Sequence, residues 1–547
     1  MKVFNSIILL CLTALVFSAC QKEIGGDYKD LNTTFVDTSK YAKQIVARQN
    51  EVYSISPSFI EGVDPSKLTY EWRLTKVEYT ADPVTGRYID TVLSTEQNFS
   101  KKIPFSPGSY VLRLHVFDPS NGNIAQIINT PFTVSSYALQ GLMLLHGDVN
   151  SCDVSILVNN RVNTVVPATA DSIQKNIFSI INGKKIEGEA RAVAFNNHGA
   201  SGARSKVYVL TSNGGYRTEF GGLKMEDPYN NLFSAAPSTA NFQAYGTAGT
   251  NEYLINNGAL YYQGQTQPAI FKPFGSQCYL PSNISPGTYT ATPYFAMDID
   301  NVSPINALMV GVFYDSNSRR FLYSKNDNTI GTFTGTAPAG GFALSTVGKW
   351  MVYGEQGNSP TQLSPYFSRY FYCVMSDLNF TGGISAKAGT RKVYISDLGR
   401  LPDPNFPTDV TKSMSLTSNL RGVAVKDISA ATDIDNAKYF AFGNKGNVMY
   451  YATNDKIYLS NDYQTSNLYY DILANYSGNV ITSMQVFKVK GHPKDGQLLY
   501  VALYNSATQS STLLEIAING INGTMSGTPK AYTGISGKIS AMNYKQF

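Results

Sequence analysis

The sequence predicts an all-β protein in two parts, a β-sandwich followed by a β-propeller. Three observations carry that prediction. Charged residues make up 15% of the 547 positions, well below the roughly 25% typical of soluble domains, which leaves little material for solvated helix faces. Tyr and Phe number 37 and 28, and aromatic side chains fit the pleated, half-buried surface of a sheet. Short apolar runs alternate with Gly, Asn, Ser and Thr, and no long stretch repeats at helical period, so the chain reads as many strands and many turns.

Residues 1–19 read as an address. Lys2 supplies a positive start, Ile7 to Phe17 is a short apolar run, and Ser18 and Ala19 lead into Cys20. A spanning helix needs about 20 apolar residues, whereas a cleaved signal has this shorter layout. Phe17-Ser18-Ala19-Cys20 resembles the lipobox of bacterial lipoproteins, with Phe17 where Leu is usual. The resemblance implies a covalent lipid on Cys20 and attachment to a membrane through it. Three acyl chains there meet the two-signal requirement for stable anchoring. An ordinary secretory signal with a chance cysteine is the alternative. Residues 20–31 form a polar tether whose Glu23 and Asp27 resemble the acidic export signal of surface lipoproteins in the Bacteroidetes.

Residues 32–136 alternate in short runs. Leu68, Tyr70, Trp72 and Leu74 share one face of a strand, and Tyr110, Leu112, Leu114 and Val116 share one face of another. Pro107-Gly108 and Asp118-Pro119-Ser120-Asn121-Gly122 mark turns. Trp72 reads as core because its same-face neighbours are apolar, and His115, on the opposite face, reads as a surface side chain. Tyr70-x-Trp72, Pro107-Gly108-x-Tyr110 and Leu114-x-Val116-x-Asp118 resemble the PKD-like family of bacterial surface lipoproteins. That kinship implies an Ig/PKD-like sandwich acting as a spacer. The Gly-Asp-Gly loop of standard PKD repeats is absent, with Arg73-Leu74-Thr75 in its place.

Across residues 137–547 a unit recurs: an apolar strand, a turn rich in Asn, Asp or Gly, then a strand bearing aromatics. Seven such runs stand out, at 141–146, 207–210, 252–263, 308–325, 349–354, 439–451 and 498–504. The closest internal repeat pairs Val312 to Asp327 with Met449 to Asp462; each follows an Asp-Ile-Asp-Asn element, and these lie 135 residues apart. That spacing suits two or three blades of about 40–50 residues. Seven blades are expected, with six and eight as alternatives and a run of Ig-like domains as the competing architecture.

No catalytic set is legible. Asp298/Asp300, Asp433/Asp435 and Glu187/Glu189 are spaced to share a strand face, as a glycosidase pair would, but repetition of the Asp pairs argues for turn chemistry. Ser460-x-Asp462 lacks the remainder of a sialidase Asp box. The four histidines (His115, His146, His198 and His492) have no metal-binding spacing, and the acidic loops lack the pattern of a Ca2+ hand, leaving at most a loosely held Ca2+ as cofactor. No Ser or Cys sits in a nucleophile motif. With net charge +5 and no basic run, nucleic acid is not an expected partner. Cys152, Cys278 and Cys373 are too few and too dispersed for a disulfide framework and are expected as buried thiols, with one long-range disulfide as the alternative. Trp350, the single tryptophan of the second part, is a candidate ligand platform, but with Met351, Val352 and Tyr353 beside it a core role is the preferred reading. Of the pairs Tyr261-Tyr262 and Tyr450-Tyr451, one member each should face inward.

The PKD-like resemblance implies an accessory of SusC/SusD-type TonB-dependent importers, exposed on the outer membrane and binding glycan or oligopeptide without catalysis. A surface propeller hydrolase or lyase, or a purely structural subunit, are the alternatives. Replacing Cys20 with Ala is expected to move the protein from the membrane to the soluble fraction with its folding intact. Fractionation with membranes despite that substitution would refute the lipid anchor.

Overall fold

The computed structural model describes residues 33–49, 51–77, 90–105, 107–136, 140–163, 171–196, 205–248, 251–264, 273–281, 288–297, 311–325, 327–358, 369–378, 390–398, 419–444, 448–463, 468–470, 475–489 and 492–545. These fall into two compact units that meet between Ser135 and Ser136. Cys20, the tether, Asp298, Asp300 and His198 lie outside the described residues.

The first unit is a sandwich. A five-stranded sheet runs Ile45–Arg48, Ile124–Ser135, Gly108–Asp118, Thr69–Lys76, Thr91–Ser94, and Val52–Ile55 pairs with Phe99–Lys102 in a second, two-stranded sheet. Period-two alternation decides which side chains point inward. Leu68, Tyr70, Trp72 and Leu74 are buried, as are Tyr110, Leu112, Leu114 and Val116. Trp72 is fully enclosed, with its ring 5.4 Å from that of Phe99 and its indole N–H donating to the Glu96 carbonyl at 2.9 Å. Its core role is therefore established; truncating such a ring to Ala costs about 3–5 kcal/mol. His115 is half-buried rather than at the open surface, because Arg73, Glu71 and Asp90 crowd around it.

Among the described residues, the second unit is a succession of seven antiparallel sheets. Each of the seven runs singled out in the sequence falls in a different sheet, and the two repeated segments lie in the fourth and sixth. The leading strands of the second to seventh sheets are Ala190–Asn196, Phe242–Ala248, Ala291–Met297, Trp350–Asn358, Tyr439–Phe442 and Asn479–Val486. The first sheet is led by the last strand of the chain: Lys538–Lys545 pairs antiparallel with Gly141–Gly147, which continues into Ser151–Asn159 and Asp171–Gln174. Each leading strand touches those of the sheets before and after it, in cyclic order. Six of the seven carry a register shift against the second strand, at Ala190/Ala192, Phe242/Ala244, Ala291/Phe295, Met351/Tyr353, Ile481/Ser483 and Ile539/Ala541. Such bulges raise the local twist, which lets neighbouring sheets fan apart.

Sheets flanked on both faces lose the inside–outside alternation. Gly311–Asp315 and Val448–Ala452 are buried at every residue. Tyr450 packs with Leu499 and Val501 of the seventh sheet, while Tyr451 packs with Tyr372 and Val374 of the fifth. Both tyrosines of that pair therefore face a core, where one had been expected.

A second regularity sits at the turn between second and third strands. At or just past the end of the second strand, a short polar side chain accepts a backbone N–H two or three residues on. The bonds run from Asn150 to Asp148 (2.8 Å), Asn213 to Thr211 (3.2 Å), Asn317 to Asp315 (3.0 Å), Leu378 to Ser376 (3.1 Å), Lys456 to Thr453 (3.2 Å) and Ala507 to Asn505 (3.0 Å). Such Asx and Ser/Thr turns fix a tight hairpin with a local bond. Only the third sheet departs, at Asn256.

The junction of first and last strands is closely fitted. Gly537, at φ +73°, has no room for a Cβ, which would lie 2.6 Å from the Gly147 carbonyl. His146 is buried, with Nδ1 2.7 Å from the Ser536 carbonyl and Nε2 2.7 Å from the Ser155 hydroxyl. A carbonyl only accepts, so the ring proton sits on Nδ1 and Nε2 accepts from Ser155. Cys152, Cys278 and Cys373 are buried free thiols, and burial pushes Cys152 up to about 12.

Burial also holds the pKa of His146 below its ordinary value, against the opposing Ser536 carbonyl and Asp153 carboxylate. Because the folded value is depressed, the unfolded chain binds the proton first. Full stability is thus expected above about pH 6.5, falling as pH drops below it. His115 and His492 shift the same way. Thermal melts between pH 7.5 and 5 should show a declining midpoint, with a shallower decline in His146→Gln; identical slopes would refute the assignment.

Candidate ligand-binding site

Among the described residues, the acidic pairs Glu187/Glu189 and Asp433/Asp435 do not converge; Asp298/Asp300 lies outside them. Glu187 ends the two-residue strand Ile186–Glu187, and Gly188 then turns the chain, so Glu189 pairs with Arg191 at 3.0 Å instead of sharing a strand face with it. Asp433 precedes a 3-10 turn, Ile434–Asn436, and Asp435 sits within it; Asp433 accepts from the Tyr458 hydroxyl and Asp435 lies 3.9 Å from Arg391. Asp433 and Asp435 thus face partners distant in the chain, and the Asp433 side chain makes no capping bond to the turn. Among the described residues, no three His, Cys, Asp or Glu side chains gather in a way that could hold a metal.

Three glutamates that the sequence reading passed over are more instructive. Each is a carboxylate set into an apolar stretch and engaged by neighbouring sheets. Glu252, in the third sheet, is 1% exposed and accepts from Asn196 and Tyr208 of the second sheet and from Tyr245 of its own, all at 2.6 Å. Burial first, and the carboxylate beside them second, push both tyrosine hydroxyls well above their ordinary pKa, so they remain donors. Glu355, on the leading strand of the fifth sheet, pairs with Lys488 at 2.6 Å and accepts from Phe442 N–H of the sixth at 2.8 Å. Its neighbour Gln356 reaches back to the fourth sheet, bonding both the N–H (2.7 Å) and the carbonyl (2.8 Å) of Met297. Glu515 of the seventh sheet accepts from Tyr500 at 2.9 Å, from Asn159 of the first sheet at 3.1 Å, and from Arg161. These carboxylates tie sheet to sheet. Their signal in the sequence is a lone Glu in runs such as Asn251-Glu252-Tyr253 and Leu514-Glu515-Ile516.

Trp350 is neither fully core nor an open shelf. It begins the strand Trp350–Asn358, is half-buried, and has the Arg319 guanidinium 5.5 Å from its ring centroid. A cation seated there covers the ring by cation–π attraction.

The hollow that does present free groups lies at the third sheet. There the regular strands number three, and Gln277 makes only an isolated bridge to Tyr261 where other sheets place a fourth strand. Asn256 does not bond its own hairpin. It accepts from Asn241 N–H (2.7 Å) and the Tyr229 hydroxyl (2.9 Å) and donates to the Thr239 carbonyl (2.9 Å), which holds the 239–241 segment in place. The hairpin shrinks to Asn257-Gly258, both at positive φ (+50° and +75°), the pairing favoured in a type I′ turn. The result is a cavity of about 310 Å3 lined by residues that include Ser238, Thr239, Asn257, Tyr261, Gln277 and Thr290. Tyr289 buttresses it, accepting from Leu260 N–H at 3.0 Å and donating to the Cys278 carbonyl at 2.9 Å. Nothing in local spacing marked these residues, which come from four separate segments.

Residues 25–190 match the PKD-like family, a stretch that spans the sandwich and continues into the first sheet of the second unit. No curated protein matches. Among solved structures, a quinonprotein alcohol dehydrogenase-like protein from Bacteroides thetaiotaomicron is similar at 12% identity and TM-score 0.39, over 94% of this chain and 99% of that one. A proposed 6-phosphogluconolactonase from Bacteroides fragilis follows at 11% and 0.30, over 87% and 98%. The WD40 domain of SCAP from fission yeast gives 8% and 0.29, over 62% and 67%. At such scores these likenesses assign no activity to this chain.

Glu252→Ala should lower unfolding stability by on the order of 3 kcal/mol, since buried donors lose their acceptor. Adding Tyr208→Phe and Tyr245→Phe should recover part of that loss, read by denaturant titration. A single variant as stable as wild type would show that the tie is not used.

Proposed function

We propose that the chain is an outer-membrane lipoprotein, anchored through Cys20 and exposed at the cell surface. In this reading its sandwich is a spacer and its seven sheets are the blades of a seven-bladed propeller. Its role is non-catalytic: it binds ligand or scaffolds assembly as an accessory of a SusC/SusD-type TonB-dependent importer of glycan or oligopeptide.

The observation that carries the binding role is the contrast between two kinds of polar group. Glu252, Glu355 and Glu515 spend their oxygens on neighbouring sheets, whereas the uncharged groups around Tyr261 and Asn257 open into a cavity. Most glycoside hydrolases need a pair of carboxylates poised at substrate; a binding protein needs a pre-formed hollow with a few convergent polar groups. The lipobox-like Cys20 and the PKD-like match support the surface placement.

A pull-down from native membranes through a tag on the full chain should recover a TonB-dependent transporter. Recovery of no transporter would remove the importer role, and specific hydrolysis of a glycan or peptide by the purified protein would overturn the non-catalytic one.

A further inference from the structure

The geometry points to the cavity beside Asn257 and Tyr261 as a site for an uncharged, polyhydroxylated ligand, one or two sugar units of a neutral glycan. This rests on the binding role proposed above and narrows its cargo.

Size comes first. At about 310 Å3 the cavity lies at the small end of ligand sites, which run to about 300–1,000 Å3. Charge comes second. Among the described residues, the lining holds no Asp, Glu, Lys, Arg or His. A carboxylate, phosphate or ammonium entering it would shed water without meeting a counter-charge, which is unfavourable. Hydrogen-bonding capacity comes third. Hydroxyls and amides both donate and accept, and a ring of sugar hydroxyls needs partners of that kind. Asn257 spends only its carbonyl oxygen, accepting from Asn241 at 3.2 Å; its amide N–H groups have no partner among the described residues, and the same holds for the Tyr261 hydroxyl.

The walls are also set before any ligand arrives. The Tyr261 ring stands edge-on to Phe233 at 5.0 Å. At Gly258 an added Cβ would come within 2.8 Å of the Thr290 methyl, so hairpin and wall meet without slack. Groups held in place this way lose little freedom on binding. The cavity also sits where the third sheet departs from the turn pattern of the other six, and Asn256 supports the wall instead of its own hairpin. A short peptide is the rival cargo for the same hollow.

Titration calorimetry and ligand-observed NMR on the detergent-solubilised full chain test this. The probes are neutral gluco-, manno-, galacto- and xylo-oligosaccharides, oligogalacturonate, and an N-acetylated, amidated trialanine. At least one neutral series should bind, with oligogalacturonate and trialanine silent. Tyr261→Phe, which keeps the ring packing, should weaken binding about tenfold, and Ser238→Trp, which fills the hollow from an exposed position, should abolish it. Three results would overturn the inference: no neutral series binding, tighter binding of the uronate or peptide, or unchanged affinity in Tyr261→Phe. The last remains decisive if Ser238→Trp fails to fold. Sugar binding without transporter recovery would remove the importer role and leave this inference standing; transporter recovery without sugar binding would do the reverse.

Discussion

The second unit depends on the return of the chain's last strand to its first sheet. A sheet whose middle strands are apolar on both faces has no stable solution alone, because each exposed face forfeits roughly 25 cal/mol per Å2 of apolar surface. Packing between neighbours solves this for every sheet in a row except the first and last. Pairing of Lys538–Lys545 with Gly141–Gly147 removes the exception by joining the two ends, and it covers edges that would otherwise offer unpaired backbone groups. The close fit at Gly537 and the bonds of His146 serve that junction.

Around this apolar frame the polar groups follow two rules. At the turn between second and third strands, short ones (Asp, Asn, Ser and Thr) close the hairpin with a bond that needs nothing from elsewhere in the fold. Longer ones (Glu, with Lys, Arg and Tyr as partners) reach across from one sheet to the next. The second kind carries risk, since a buried carboxylate missing its partners is worse than an apolar side chain. Glu252, Glu355 and Glu515 meet that condition by collecting donors from at least two elements each. Such contacts set the pairing of particular sheets, which apolar packing alone specifies weakly.

The third sheet departs from the first rule while its Glu252 keeps the second. Its strand-end Asn256 supports a neighbouring segment, its hairpin is reduced to Asn257-Gly258, and its fourth strand is reduced to a bridge. Sequences agree across levels wherever folding alone is served and break the pattern where something else is asked of them. The cavity sits at that break, and beside it the Tyr261 hydroxyl and the Asn257 amide have no partner among the described residues.

Much of this was legible in the order of residues. Alternation placed Trp72 and its neighbours in the sandwich core, since period two maps onto faces without reference to the rest of the fold. The apolar runs between turn residues marked one strand or hairpin in each of seven sheets, and three scattered cysteines were read correctly as buried thiols. These are local properties. The roles of Tyr450 and Tyr451 were not local, because a sheet enclosed on both sides buries both members of an alternating pair. Neither was the function of Glu252, whose partners Asn196 and Tyr208 lie 56 and 44 residues away, nor the cavity, assembled from separate segments. The sequence by itself determined the strands, the turns and the composition of the cores, because those follow from nearest neighbours. Only the tertiary structure decided which sheets meet, which charges are spent on holding them, and where a hollow is left, because those depend on contacts between residues far apart in the chain.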